Sequence, residues 1–299
     1  MPPKSKNSGV VDGVVRTAKR QRKAAPKSDP ESEDEAADAA PETTRNSQLL
    51  VCIPNSTLAF LRELKLNNAK EWFYAHDSEY KAARKNFVNF VRSQAALLSR
   101  TDPSVAGSAT DVGASAALFR INRDIRFSAD PTPYKTSLSA AISRSGKRNN
   151  VAEACYYVVV EPNGNSRFGC GVYMPPNPTL THLRETLVSN ATLKSNLVQA
   201  LNSPALLALI PAPVDTEVED PGIARLHASA VKNNLILKTA PKGFAASHPD
   251  IHLLRLKSFT LGITLTDDVV ESDEFPTRCS EFFTAVAPFV LALNALLRE

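Results

Sequence analysis

The 299 residues hold 35 Lys/Arg against 31 Asp/Glu, a net charge of +4, with 43% apolar and 22% charged residues; that is ordinary globular composition and too little charge to indicate nucleic acid by itself. No run of eighteen apolar residues occurs, so no transmembrane helix is expected, and the N-terminus lacks the apolar stretch of a secretory signal. Four cysteines (Cys52, Cys155, Cys170, Cys279) stand far apart without a Cys-x-x-Cys pair, which argues against a zinc knuckle, a redox pair or a disulfide framework and for buried thiols in a reducing compartment. Cys155 and Cys170 are placed where they could share one sheet face.

Residues 1–47 read as a disordered tail of split sign. Lys4 to Lys27 contains eight Lys/Arg and only Asp12, whereas Asp29 to Glu42 contains seven acids and no base. Block charge with few aromatics cannot bury enough surface to offset ordering entropy. The cluster Lys19-Arg20-Gln21-Arg22-Lys23 reads as a nuclear localisation signal engaging import machinery through Lys19, Arg20, Arg22 and Lys23. That places the protein in the nucleus or between nucleus and cytoplasm. A solubilising tail and a weak nucleic-acid arm are the competing readings.

From residue 48 to 299 the pattern is that of one α+β domain, mainly an antiparallel sheet with helices packed on it. Pro54-Asn55-Ser56 starts a helix with Leu58, Leu61 and Leu64 behind it. Asn67-Asn68 ends it through a left-handed cap, and Asn68 with Glu71 forms an Asn-x-x-Glu box for the next helix. Phe73, Tyr80 and Phe87 recur every seven residues, the core stripe of one long helix reaching about Ser99. Residues 101–115 are Gly/Ser/Ala/Asp-rich and read as a loop. Strands are expected at 116–122 and 134–145, the latter with Lys135, Ser137, Ser139, Ala141 and Ser143 on a small polar face suited to solvent, a covering loop or a ligand groove.

Strands 155–161 and 167–174 flank Pro162-Asn163-Gly164-Asn165, a hairpin signal. Gly169 and Gly171 in the second strand suggest close approach of another group. Pro178 opens a helix with leucines through Leu197, residues 211–224 read as a Pro- and acid-rich loop, and residues 235–238 as a short extended piece. His248 caps a helix beginning at Pro249, residues 259–265 alternate as a strand, and the last helix buries Phe275, Cys279, Phe282, Val286, Phe289, Val290, Leu293 and Leu297.

The densest chemistry lies between Arg120 and Lys135, where four cations and two carboxylates share a Pro-stiffened turn between two strands. Guanidinium forks suit a phosphate or carboxylate, because they donate two parallel hydrogen bonds. One reading is therefore a small anionic or phosphorylated ligand held by Arg120, Arg123, Arg126, Tyr134 and Lys135. Asp124 and Asp130 would orient the arginines or supply a base, and Trp72 and Glu71 would close the pocket. The other reading is a structural lock, in which Asp124 and Asp130 pair with the arginines in a non-enzymatic interaction protein.

No cofactor and no metal site is expected. His248 and His252 lack the intervening Glu of a zinc helix, and neither a phosphate-binding glycine loop nor a nucleophile elbow is present. With 26 basic and 23 acidic residues from Asn46 onward, the body gives weak support for nucleic acid and none for a membrane partner.

Three groups of residues resemble a known family. They are Phe60-Leu61-x-x-Leu64-x-x-Asn67-Asn68-x-x-Glu71-Trp72-Phe73, then Arg120-x-x-Arg123-Asp124-x-Arg126-Phe127-Ser128-x-Asp130-x-x-Pro133-Tyr134-Lys135-Thr136, then Tyr157-x-x-x-Glu161-Pro162-x-Gly164 with Gly169-x-Gly171-x-Tyr173-Met174-Pro175. They resemble the bacterial and fungal family called domain of unknown function two-four-six-one, and Pro241-Lys242-Gly243-Phe244 and Leu253-Leu254-Arg255-Leu256-Lys257 fit its later half. The resemblance implies one α/β-type domain and leaves activity and ligands unassigned.

Overall fold

A computed structural model describes residues 50–126, 128–148, 152–213 and 217–298, all within the unit Arg45–Glu299. The basic-then-acidic tail, with Lys19, Arg20, Arg22 and Lys23, lies outside the described residues, as does Phe127.

Chain order runs α1 (Asn55–Leu66), α2 (Lys70–Ala75), α3 (Asp77–Leu98), α4 (Asp111–Ala117), β1 (Leu138–Ile142), β2 (Cys155–Val160), β3 (Ser166–Val172), α5 (Asn177–Ser189), α6 (Ala191–Leu201), α7 (Pro204–Leu209), α8 (Pro221–Lys232), α9 (Ile251–Leu254), β4 (Phe259–Leu265), α10 (Asp267–Glu271) and α11 (Phe275–Leu296). The four strands make one antiparallel sheet in the order β1-β2-β3-β4, so the α+β expectation holds.

The period-2 pattern of the strands sends Ala140, Val158, Phe168 and Ile263 to one face in a single cross-strand row. Phe168 on that face meets Phe275, Phe282 and Phe283 of α11 at ring separations of 5.3, 5.8 and 6.2 Å. Phe90 of α3 closes the cluster against Phe275 at 5.1 Å. Each such ring is fully buried and stabilises the fold by about 1.5–3 kcal/mol. α11 is apolar and long enough to cross a bilayer, but 56% of that stretch is buried; its phenylalanines form the core.

The hairpin turn forms where Asn-Gly predicts it, with Asn163 at φ 68° and Gly164 at φ 70°, the two left-handed residues that match strand twist. Gly171 also has positive φ, and a Cβ there would overlap the Phe259 carbonyl. The close approach expected at that glycine is therefore the backbone of β4.

Several elements differ from expectation. Residues 101–115 are a 3-10 turn, Pro103–Ala109, followed by α4. Asp102 accepts from the Ser104 amide and Thr110 from the Gly113 amide, and these side-chain caps offset the poor helix propensity of the segment. Asn67 ends α1 at φ −124°, outside the left-handed region, and α2 starts behind Ala69 without a side-chain cap. The long helix is interrupted at His76 (φ −113°) while keeping Phe73, Tyr80 and Phe87 buried. α8 (Pro221–Lys232) begins at the end of the stretch 211–224 read as loop, with Asp220 capping the Ile223 amide and Pro221 in the first turn. His248 caps no helix: its Nδ1 accepts the Asp250 amide ahead of the short α9. Cys155 faces away from the core, because the register sets Cys170 opposite Tyr156 and Gly171 opposite Cys155. The two thiols thus lie on opposite sheet faces.

Candidate functional site

The strand expected at 116–122 does not form: α4 runs to Ala117, and the residues after it pair only at single positions. Leu118 bridges Ala140 and Asn122 bridges Tyr134. Two further main-chain bonds, Lys135 N to Ile121 O and Arg123 N to Pro133 O, both 2.8 Å, tie the base of the loop. The expected strand at 134–145 is thereby shortened to β1. Its second face is not open: Ser139, Ala141 and Ser143 are buried. Phe119 reaches across to Tyr157 at 5.8 Å, and Ser143 donates to the Lys147 carbonyl where the chain turns back. A covering loop, and not a ligand groove, occupies that face.

Within the loop every carboxylate is engaged. Arg126 meets Asp124 through both fork nitrogens, Nε at 2.9 Å and an Nη at 2.7 Å, and Asp124 also accepts the Arg126 amide. Arg123 donates to Asp130 and to the Thr132 hydroxyl, while Asp130 accepts the Thr132 amide at 3.0 Å. Hydrogen bonds from the Arg126 side chain and amide hold Asp124 down to about 2. The Thr132 amide, then Arg123, do the same for Asp130, also to about 2. Both pairs are exposed to solvent, which screens them. Both aspartates are ionised at neutral pH and only weakly basic.

Lys135 donates its ammonium to the Arg120 carbonyl at 2.7 Å, above the Phe119 ring. Tyr134 is buried and its ring stacks on Phe73 at 4.0 Å. Asn68 takes both main-chain groups of Tyr134: Nδ2 donates to the carbonyl at 2.9 Å and Oδ1 accepts the amide at 3.1 Å. The predicted site residues Arg123, Asp124, Arg126 and Asp130 are therefore brought together as two ion pairs. Arg120 is exposed at the edge of the loop.

Trp72 and Glu71 stand on α2. Glu71 is exposed, and Trp72 stacks on His76 at 3.9 Å and lies beside Phe60 at 6.0 Å. There it lines a groove between α1 and α3 with Glu63 and Glu79. A second groove runs between Ser203 and the outer side of α11 at Pro288. Neither includes a residue of the Arg120–Lys135 loop.

Other ionisable clusters escaped sequence reasoning. Asp267 accepts the Asn163 and Gly164 amides at 2.9 and 2.8 Å and the Arg62 fork at 2.9 Å, and Arg62 also reaches Glu271. This ties the hairpin turn to α1 and α10. Buried Asp102 accepts the Tyr156 hydroxyl at 2.9 Å. Buried Arg225 donates to the Leu201 and Ile210 carbonyls at the ends of α6 and α7. The only advance signal for these was an ionisable residue amid apolar ones, which gives no partner.

His227 and His252 stand with ring centres 5.3 Å apart, and burial, the neighbouring His252 and Arg255 push the His227 imidazole down. No group of three or more metal-ligand residues occurs among the described residues. Burial pushes the Cys155 thiol up to about 12 and raises Cys170 and Cys279 as well, so none of the three is a poised nucleophile.

A family model described as conserved hypothetical protein (DUF2461) matches residues 56–291, the family the motifs resemble. No curated protein and no solved structure matches the chain.

Proposed function

The chain belongs to the DUF2461 family of conserved hypothetical proteins, and we propose that its folded body is a non-enzymatic interaction module in which the Arg/Asp loop is a structural lock. The observation that carries this reading is that Arg123 and Arg126 both close on carboxylates of their own loop, away from either groove. A small anion would have to displace two tethered carboxylates already present at high effective concentration. A binding or catalytic site would instead combine a concave surface with convergent polar groups.

In this reading the tail supplies localisation. Lys19, Arg20, Arg22 and Lys23 engage import machinery and place the protein in the nucleus. Nucleic acid is a poorer partner, because the body is nearly balanced in charge and offers no basic excess to replace counterions.

Thermal melts test the lock. Arg123→Ala should lower the melting temperature, and millimolar phosphate or sulfate should shift wild type and an Arg123→Ala/Arg126→Ala double variant equally. A phosphate-induced rise seen in wild type and lost in the double variant would restore the ligand-site reading. Deleting residues 1–47 should move the protein out of the nucleus with its far-ultraviolet dichroism per folded residue unchanged; an unaltered distribution would remove the import role.

A further inference from the structure

Two helical stripes face each other across the Trp72 groove. On α1, Ser56, Ala59, Phe60 and Glu63 fall at the i, i+3, i+4, i+7 spacing that puts residues on one face. Across from them, Trp72 and His76 are one turn apart and Glu79 follows on α3. Small residues at Ser56, Ala59, Ala82 and Ala83 leave the helices unfilled between these side chains, opening a space of about 350 Å3. That is large enough for one extended side chain, and it sits at the small end of ligand pockets.

The chemistry of the walls has one sign. Two carboxylates, Glu63 and Glu79, line the groove, Glu79 also accepting the Ser78 hydroxyl at 2.8 Å, and among the described residues no lysine or arginine lines it. The nearest arginine on α1, Arg62, is turned away to Asp267 and Glu271. His76 commits its Nδ1–H to the Trp72 carbonyl at 2.8 Å, since a carbonyl can only accept. The indole stacks on His76 at 3.9 Å and 16°, and Phe60 lies 6.0 Å away at 28°. A primary ammonium here would be met by N–H donation to the carboxylates, with its carbon stem along the aromatic wall.

We propose that this groove receives a lysine side chain from a basic segment of a partner protein, its ammonium between Glu63 and Glu79 and its stem against Trp72 and Ala59. The inference deepens the interaction-module reading and rests on it. It names the contact surface and the charge of the partner.

Trp72 is the only tryptophan in the chain, so its emission reports on the groove directly. The full chain is titrated with a tryptophan-free peptide of alternating alanine and lysine, and with the same peptide fully acetylated or trimethylated on its lysines. A saturable change in emission is expected with the lysine peptide. Binding should weaken at least tenfold on acetylation, tenfold in a Glu63→Gln/Glu79→Gln variant, and less on trimethylation, which keeps the charge but removes the N–H donors. Both glutamates are exposed, so the variant should retain the wild-type melting temperature. An unchanged emission, equal affinity for the acetylated peptide, or equal affinity in the double variant overturns the assignment. Free butylamine binding as tightly as the lysine peptide overturns the partner-segment source. Those failures leave the module reading to its own melts and tail deletion, whereas a phosphate response confined to wild type would remove that reading without touching the groove.

Discussion

A side-chain amide can take the place of a strand residue, and Asn68 does so by bonding both main-chain groups of Tyr134. Asn294 repeats the device on Ala154, with bonds of 2.9 and 3.1 Å. Each clamp joins segments far apart in sequence without a strand between them. Asn68→Ala leaves the Tyr134 amide and carbonyl without those partners beside a buried ring, which costs about 1–3 kcal/mol and should lower the melting temperature by several degrees. A midpoint equal to wild type would show the clamp to be idle. Asp267 makes the matching argument with charge. Burial pushes its carboxyl up, but the Gly164 amide, the Arg62 fork and the Asn163 amide outweigh burial and leave it below the ordinary range. Because the folded value is depressed, its stabilisation is complete above the unfolded value of about 3.9 and is lost as pH falls through the folded one. Urea midpoints should therefore fall more steeply for wild type than for Asp267→Asn below about pH 4; parallel acid limbs would exclude this role.

Elements show where local patterning suffices and where it does not. The β2–β3 hairpin and β4 were legible because alternation, Asn163-Gly164 and flanking β-branched residues agree. α4 and α8 were not, because Gly, Ser, Pro and acids read as loop until Asp102, Thr110 and Asp220 are seen to cap backbone amides. The charged loop was read as strand, turn and strand, and only the turn and the later part of the second strand, β1, form. Pro131 and Pro133 lack N–H groups for a ladder, and Asn68 holds the Tyr134 main chain, so only single bridges form there. The loop's pairing was one of two readings open from the residues. The Trp72 groove was half visible, since the α1 stripe is spacing in the sequence but its partner stripe requires the helix packing. Gly171 carries a sharp test of the sheet. At φ 109°, with a Cβ overlapping the Phe259 carbonyl, Gly171→Ala must push β3 from β4 and should cost about 3 kcal/mol or more. A near-native urea midpoint would mean the β3–β4 register differs from the one described.

For the whole molecule, one question is whether the sheet and the C-terminal helix unfold together. Their shared core argues that they do: Phe168 of β3 packs on Phe275, Phe282 and Phe283 of α11, and neither surface could stay dry alone. The thiols report on this without any engineered probe. Cys52 is exposed, its thiol raised by burial and by the nearby Asp273 carboxylate, so it should react first with a disulfide reagent, though slowly at neutral pH because the thiolate is the nucleophile. Cys170 on the core face of β3 and Cys279 on α11 are buried and can react only after opening. In a cooperative body, which exposes both cores in one transition, their labelling should rise together along a urea series, at the midpoint given by circular dichroism. Cys279 unmasking at a clearly lower urea concentration than Cys170 would mean that α11 detaches as a separate unit. The shared aromatic core would then be a contact between two modules and not the centre of one.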